Sequence, residues 1–258
     1  MLTRAVDALT VTLYSDAAAV AVAAAARIKG VILAAVAARG EARIIWATGN
    51  SQRDCLALLV ADRGIPWERV VCFHLDEYLG IAPDHPASFH HYLKTRIADL
   101  VHPQAFHYLQ GDCLEPVGEC DRYAQLLESA PIDLCCLGVG NNGHLGFNEP
   151  TVANFADPYA VKLVRLDAEN RAQQYGQGHF SSLAAVPDYA FTLTLPAIFR
   201  CGELLCLAQG EHKAAIVAKL LTGPMSATCP ASFLRHHPQS HLYLDEAAAM
   251  EVKALIQF

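Results

Sequence analysis

Basic runs are missing from this chain. Only 17% of its 258 residues are charged, Lys and Arg number 19, and the formal net charge is −7. That balance excludes nucleic acid or an anionic membrane surface as the expected partner, so any phosphate must be met by a local site. Long apolar runs are missing too: no window of about 18 residues is free of a breaker. The Ala-rich stretch Ala17–Ala26 stops at Arg27-Ile28-Lys29 and carries no charged leader with a cleavage pattern, so it is read as a helix of a soluble protein. The nine cysteines show no C-x-x-C spacing, and Cys135-Cys136 and Cys206 lie inside apolar runs. An odd count in such surroundings points to reduced thiols filling a core, and to a cytoplasmic location. Internal repeats, low-complexity segments and linkers are lacking as well. The length suits one domain spanning residues 1–258, and 53% hydrophobic residues give it ample material for a core.

What is present alternates. Short apolar runs without strict polar alternation occur at Arg43–Ala47, Val70–Leu75, Ile132–Leu137, Ala190–Leu195, Leu204–Ala208 and His241–Leu244. Helical patterns lie at Ala17–Ala38, Ser51–Ala61, Ser88–Leu100, Cys120–Glu128, Lys213–Leu221 and Asp245–Ile256. Runs of that kind fit strands buried on both faces, so the expectation is a doubly wound α/β fold: an open, Rossmann-like, mostly parallel sheet with helices on both faces. In such a sheet, ligands bind beyond the carboxyl ends of the strands.

Three strand ends carry chemistry. The first runs into Thr48-Gly49-Asn50-Ser51 and then a helical pattern. A small turn opening a helix offers free N–H groups and hydroxyls suited to a phosphate, and equally an ordinary helix cap at Asn50 or Ser51. The second ends in Asp76-Glu77, where a general base would be useful but a solvated turn is the plainer reading. The third delivers "LGVGNNGHLGFNEP", Leu137–Pro150, whose Gly138, Gly140 and Gly143 match the dinucleotide pattern G-x-G-x-x-G. That pattern needs a helix continuing from the third glycine and an acidic residue at the next strand end. Pro150 breaks a helix at that place, and Asp157 falls in the turn-like "NFADPYA". The loop instead supplies an imidazole, His144, with a carboxylate, Glu149, five positions on. A carboxylate on one ring nitrogen fixes the tautomer and readies the other nitrogen for proton transfer. His90-His91 and His236-His237 lack companions at metal-ligand spacing and read as solvated or substrate-edge histidines, so no metal is expected.

Together "HLDEYLG" (His74–Gly80) and "GVGNNGHLGFNEP" (Gly138–Pro150) resemble the two signatures of the glucosamine-6-phosphate deaminase/isomerase family, which is related to 6-phosphogluconolactonase. "TGNSQ" (Thr48–Gln52) is similar to its phosphate loop, "GEHKA" (Gly210–Ala214) to its lysine segment, and "VPDYAFTLTL" falls in family order, so the likeness spans nearly the whole chain. The resemblance implies a hexosamine 6-phosphate, of glucosamine or galactosamine, converted to a ketose 6-phosphate and ammonia without cofactor or metal. It places the phosphate on Thr48, Gly49, Asn50 and Ser51 with Lys213 as counter-charge, and gives Gly140 and Gly143 to substrate contact. His144, oriented by Glu149, assists ring opening, with Asn142 in the same catalytic unit. Asp76 moves the proton from C2 to C1 and is expected to be ionised at neutral pH, since a free Asp titrates near ~4. Family members often assemble, so self-association is expected too.

Several positions depart from that pattern. Asn142 stands where some members carry Asp, so the ring-opening unit must lean on Glu149. The phosphate arginine expected within Arg171–Phe180 is absent from its place, leaving Arg171 or His179 as substitutes. "TVANFADPYA" offers no basic residue for an allosteric activator, and "CPASFLRHHP" (Cys229–Pro238) is similar to the galactosamine branch. Beside a deaminase stand a lactonase of the same fold, a silent sugar-phosphate-binding protein, and a dinucleotide oxidoreductase.

Overall fold

Residues 1–176, 178 and 180–254 are described by the computed structural model. In chain order the elements are β1 (Leu2–Val6), β2 (Leu9–Tyr14), α1 (Ala17–Arg39), β3 (Ala42–Trp46), α2 (Asn50–Ala61), β4 (Val70–His74), β5 (Asp76–Tyr78), β6 (Ala105–Phe106), α3 (Pro116–Glu128), β7 (Leu134–Gly138), β8 (Val161–Arg165), α4 (Ala168–Gly176), β9 (Tyr189–Leu193), β10 (Glu203–Ala208), α5 (Ala214–Thr222) and β11 (Ser240–Asp245). Shorter helical pieces punctuate the loops. Phe89–Leu93 runs into a π-helical stretch, Lys94–Ala98, and then Asp99–Val101.

Eight strands form one sheet in the order β1-β2-β11-β10-β7-β3-β4-β6, parallel throughout except where β1 returns against β2. Successive residues of a strand face opposite sides, and the cores follow that alternation. Ile45, Cys135, Leu137, Leu204 and Cys206 pack with Tyr123 and Leu127 of α3 and Val217 and Leu220 of α5. Ile44, Trp46, Leu134, Cys136, Leu205 and Leu207 pack with α1 and α2 on the other face. Each fully buried Leu, Ile or Val contributes about 1.5–3 kcal/mol of transfer free energy, which is what makes both helix layers adhere. The doubly wound fold read from the sequence is the fold observed.

Helix α1 is long and apolar enough, by length and composition, to cross a membrane. Here Val20, Ala24, Ile28 and Ile32 bury a stripe against the sheet, Asp16 Oδ1 accepts from Ala19 N (2.8 Å), and Gly40 ends the helix in the left-handed region, φ 83°. All nine cysteines are free; eight are buried and Cys113 is half-buried.

Three expectations need correction. The run at 190–195 forms β9, but β9 lies outside the main sheet, in a second, antiparallel sheet ordered β5-β9-β8. The helix expected from Asp245 is absent: β11 extends through Asp245 and residues 246–254 form turns, with residues 255–258 outside the described ones. The Asp245 carboxylate instead ties down backbone, accepting from Gly210 N (3.0 Å) and Ala248 N (2.8 Å). Strands β1 and β2 alternate apolar with polar residues or carry a charge instead of forming unbroken apolar runs, helix α4 is polar, and Pro116 begins α3 a turn earlier than its apolar residues suggest.

The short strand β5 is pinned by Glu77, which is 1% exposed. Its carboxylate accepts from the N–H groups of Tyr78 (2.9 Å), Phe89 (3.1 Å) and His90 (2.8 Å) and from the Ser88 hydroxyl (2.7 Å). Glu77 is thus an anchor that caps the helix beginning at Phe89. Glu77→Ala strands those donors and should lower stability by about 1–3 kcal/mol. A urea midpoint equal to that of the parent protein would show that solvent replaces the carboxylate without loss.

Candidate active site

The crevice is made by strand ends. β3, β4, β7, β10 and β11 run parallel, so their carboxyl ends, and the loops leaving them, lie along one edge of the sheet. After β3, Gly49 (φ 105°) lets the chain turn sharply, and α2 begins at Asn50 with no side-chain cap. Its first N–H groups are therefore left open at the positive end of the helix. Neither Asn50 nor Ser51 caps the helix. Ser51 Oγ lies 3.4 Å from where a Cβ on Gly138 would stand, and Gln52 Nε2 donates to Leu137 O (3.1 Å), so this turn abuts the end of β7. The Tyr92 hydroxyl donates to Gly49 O (2.9 Å) and steadies it from the far side.

Beyond β7 no helix follows the glycines; residues 141–152 form turns and an isolated bridge between Leu145 and Asn148. The loop folds back on itself. A Cβ on Gly140 would fall 2.1–2.3 Å from three atoms of the His144 ring, so the imidazole fills the space that glycine leaves. Gly143 (φ 91°) abuts Cys229, whose Sγ would lie 2.7 Å from an added Cβ. Asn148 Nδ2 donates to Leu145 O (2.9 Å) and Leu193 O (2.8 Å), tying the loop to β9. Asp157, the acid a dinucleotide would want, pairs with Lys162 Nζ at 3.0 Å.

His144 Nδ1 lies 2.8 Å from Glu149 Oε1 and 2.9 Å from Asn142 Oδ1. Both partners accept, which assigns the proton to Nδ1 and leaves the Nε2 lone pair for a ligand. Asn142 Nδ2 donates in turn to Glu149 Oε2, and Asn170 Nδ2, on α4, donates to Oε1. Burial alone would raise the Glu149 pKa, but the hydrogen bonds and charge of His144, then Asn142 and Asn170, outweigh it and hold the group below its ordinary value. Asn170 gives no signal in the sequence, since an Asn in a polar helical segment looks like any solvated residue.

Asp76 meets this loop from the side. Its Oδ2 lies 3.4 Å from where a Cβ on Gly146 would stand, two residues from His144, and Thr192 Oγ1 borders the same point at 2.8 Å. Pairing of β5 with β9 sets Asp76 opposite Thr192, whose hydroxyl accepts from Phe147 N (3.1 Å). The expectation of an ordinary ionised carboxylate fails here: burial, then the neighbouring Glu77 charge, push the Asp76 pKa up to about 8. Preceding it, buried His74 accepts from Leu109 N (2.8 Å) at Nε2, and burial drops its pKa to about 3, so it stays neutral.

Lys213 closes the fourth side, its Nζ donating to Asn141 Oδ1 (2.7 Å), with burial lowering its pKa. Asp76, the Ser51 turn and Lys213 thus each approach the loop that carries Asn142, His144 and Glu149, at Gly146, Gly138 and Asn141 respectively. Arg171 does not join them freely: it pairs with Asp188 (2.9 Å) and donates to Leu183 O and Val186 O. His179 lies outside the described residues. His90 stacks on Tyr108 with ring centroids 3.7 Å apart. Two hollows of about 410 and 420 Å³ border Ala130 and Pro131 ahead of β7, away from this constellation.

A doubly wound sheet whose carboxyl-end crevice holds an imidazole–carboxylate pair beside a buried carboxyl defines an α/β enzyme equipped for proton transfer. The family described as glucosamine-6-phosphate isomerases/6-phosphogluconolactonase matches residues 15–148, and the chain belongs to it. The glucosamine-6-phosphate deaminase of Exiguobacterium sibiricum is 35% identical over 203 residues, 79% of this chain and 78% of that protein. The deaminase of Shewanella loihica is 32% identical over 80% of this chain and 77% of its own. A solved monomeric glucosamine-6-phosphate deaminase superposes with a TM-score of 0.84 at 29% identity, covering 93% of this chain and 99% of its own. A 6-phosphogluconolactonase from Shewanella baltica shares the fold at a TM-score of 0.75 and 18% identity, covering 91% and 97%.

Two outcomes follow from the geometry. Gly140→Ala puts a methyl group where the imidazole rests, so activity should fall toward the ~10²–10⁴-fold that general acid–base catalysis supplies, with far-ultraviolet circular dichroism unchanged; full activity would show that the ring has another seat. Asp76 has a folded pKa near 8 against 3.8 when free, so its contribution is intact below 3.8 and stability is lost as pH rises through 8. Asp76→Asn should therefore raise the melting temperature at pH 8 relative to the parent protein, with the gain vanishing toward pH 4; a gain that is independent of pH would remove burial as its cause.

Proposed function

We propose that this protein deaminates and isomerises a hexosamine 6-phosphate, releasing ammonia and a ketose 6-phosphate. The observation that carries the reading is the convergence of Asp76 with the His144–Glu149 pair beside the Ser51 turn. Relatives named glucosamine-6-phosphate deaminase favour the glucosamine substrate, and galactosamine 6-phosphate, which differs at C4, is the second candidate.

The phosphoryl group sits on the open N–H groups of Asn50 and Ser51, with the Thr48 and Ser51 hydroxyls and the Lys213 ammonium supplying hydrogen bonds and charge. Opening the sugar ring breaks C1–O5: a proton leaves the anomeric hydroxyl and another arrives on O5. His144 Nε2 takes the first and returns it, while Glu149 and Asn142 hold Nδ1–H and stabilise the imidazolium between the two transfers. In the open chain the aldehyde acidifies the C2–H bond. Asp76 removes that proton, the electron pair forms the C1–C2 double bond as the C1–O1 π bond breaks, and O1 takes a proton from the C2 ammonium to give an enolamine. Asp76 then returns its proton to C1. The C2–N bond becomes an iminium, water adds to it, and ammonia leaves as the ketone forms. The site has groups for each proton and calls for no redox partner, metal or cofactor. No acyl or ester bond has to be attacked, which separates this chemistry from that of a lactonase.

Ammonia and ketose phosphate should both appear when the protein is incubated with glucosamine 6-phosphate or galactosamine 6-phosphate, and Asp76→Asn should abolish both while the sugar phosphate still binds. Hydrolysis of a phosphogluconolactone without ammonia from either amino sugar would replace the reading with a lactonase, and binding without turnover would leave a silent receptor. The pH profile is a separate check. With a free-enzyme pKa near 8, kcat/KM should climb through that region as Asp76 ionises. The substrate ammonium at C2 favours the carboxylate, so the corresponding limb of kcat should lie at lower pH. Coincident limbs would take Asp76 out of the role.

A further inference from the structure

Glu149 is gripped by more than the loop that carries it. Asn170, 3% exposed, donates from Nδ2 to Glu149 Oε1, the same oxygen that receives His144 Nδ1 at 2.8 Å. Asn142 holds the other oxygen. Three donors around two oxygens leave the carboxylate one orientation, and Asn170 is the one that comes from outside the loop, twenty-one positions on. Its orientation is set, because turning the amide over would place its oxygen against a carboxylate oxygen. The arrangement has a cost: Asn170 Oδ1 is buried and, among the described residues, has no hydrogen-bond partner. An apolar side chain of similar size would avoid that orphaned acceptor, so packing alone does not explain an amide here.

The helix that bears it adds a second tie. Asn170 N donates to Asp167 Oδ1 (2.8 Å), which fixes the first turn of α4. One turn on, at the i+4 position that shares its face, Gln174 Oε1 accepts from the Tyr78 hydroxyl (2.8 Å). Tyr78 ends β5, the strand that begins with Asp76. One face of α4 therefore touches both halves of the crevice, the imidazole–carboxylate pair through Asn170 and the Asp76 strand through Gln174.

We propose that Asn170 is a positioning residue for the proton-transfer unit, fixing the Glu149 carboxylate so that it holds the His144 imidazole in its working tautomer and orientation. This rests on the deaminase reading for its kinetic consequence but not for its physical one. The Asn170 amide adds a hydrogen bond from outside the loop to those of His144 and Asn142, and so helps fix the orientation of a buried carboxylate that keeps its charge. It acts through Glu149, so its effect falls on the chemical step more than on substrate binding.

Asn170→Leu, Asn170→Asp and the parent protein separate the outcomes, using thermal unfolding, kcat and KM on glucosamine 6-phosphate, and the His144 ring titration by NMR. The leucine variant should unfold no earlier than the parent, keep its KM, and lose about 10-fold in kcat, a part of the ~10²–10⁴ available to general acid–base catalysis, with the His144 titration displaced. The aspartate variant sets a second carboxyl beside Glu149 and should raise the His144 pKa while losing more kcat. A leucine variant with the parent's kcat and His144 titration overturns the proposal. So does one whose kcat falls only with its folded fraction while the ring titrates as before. If the parent itself releases no ammonia, the deaminase reading fails alone, and the ring titration still decides Asn170: displaced in the leucine variant, the proposal stands; unmoved, it falls.

Discussion

The loop leaving β7 returns on itself, and everything polar in the crevice is arranged about the contact that this return creates, His144 Nδ1 on Glu149 Oε1. In this contact the imidazole occupies the space that a side chain at position 140 would take. Gly140 supplies that space, and its N–H donates to His144 O (3.1 Å), so one residue both seats the imidazole and closes the turn. The loop is then clamped from two directions, by Asn148 on Leu193 O and by Thr192 on Phe147 N. Both clamps come from β9, which also pairs with the strand that opens on Asp76. Carboxyl and imidazole are thus positioned by one common strand rather than by separate walls.

That dependence explains why the second sheet matters. The eight-stranded sheet delivers strand ends to one edge, but β4 passes His74 and continues as β5, which pairs with β9 instead of with a parallel neighbour. The change of partner turns Asp76 toward the glycine loop and sends Glu77 the other way, into the cap of the helix at Phe89. Adjacent carboxylates acquire opposite duties because successive residues of a strand face opposite sides. A dinucleotide has no place in this design. The loop runs straight into turns, and Asp157 is committed to Lys162.

Much of this was legible in the residues. The apolar runs at β3, β4, β7, β10 and β11 are long enough, and unbroken enough, to declare strands buried on two faces, and the fold class follows from them. The motif loop declared its own chemistry through Pro150 and the His144–Glu149 spacing. What escaped depends on distant partners. β9 reads as another buried strand, and nothing local says that it pairs with three residues after His74. Asp76 looks like any carboxylate at a strand end, because its elevated pKa comes from burial by chain far away in sequence. Asn170 sits in a polar segment and acquires its meaning only where α4 lies against Glu149. The helix read from Asp245 onward failed for a related reason: an Ala-rich pattern favours a helix, but Asp245 is held in β11 and its carboxylate is taken by Gly210 N.

Two carboxyls in one crevice are driven in opposite directions. Glu149 is surrounded by donors, so it stays charged despite burial, whereas Asp76 has burial and a like charge acting on it and keeps its proton to about pH 8. Environments that push two acids apart divide their labour. A permanently charged Glu149 suits a partner that must stabilise an imidazolium without taking its proton. A carboxyl poised close to neutral suits a group that must accept a proton from carbon and give it back, because a raised pKa makes the base stronger and lessens the uphill step from carbon. On the proposed reaction, substrate entry would tighten the division, since an ammonium beside Asp76 would favour the carboxylate, while Glu149, already saturated with donors, would be almost unaffected. The crevice therefore needs no external base. The amino group of a bound amino sugar would itself bring Asp76 into its reactive state, and a sugar phosphate lacking that group would leave the carboxyl protonated.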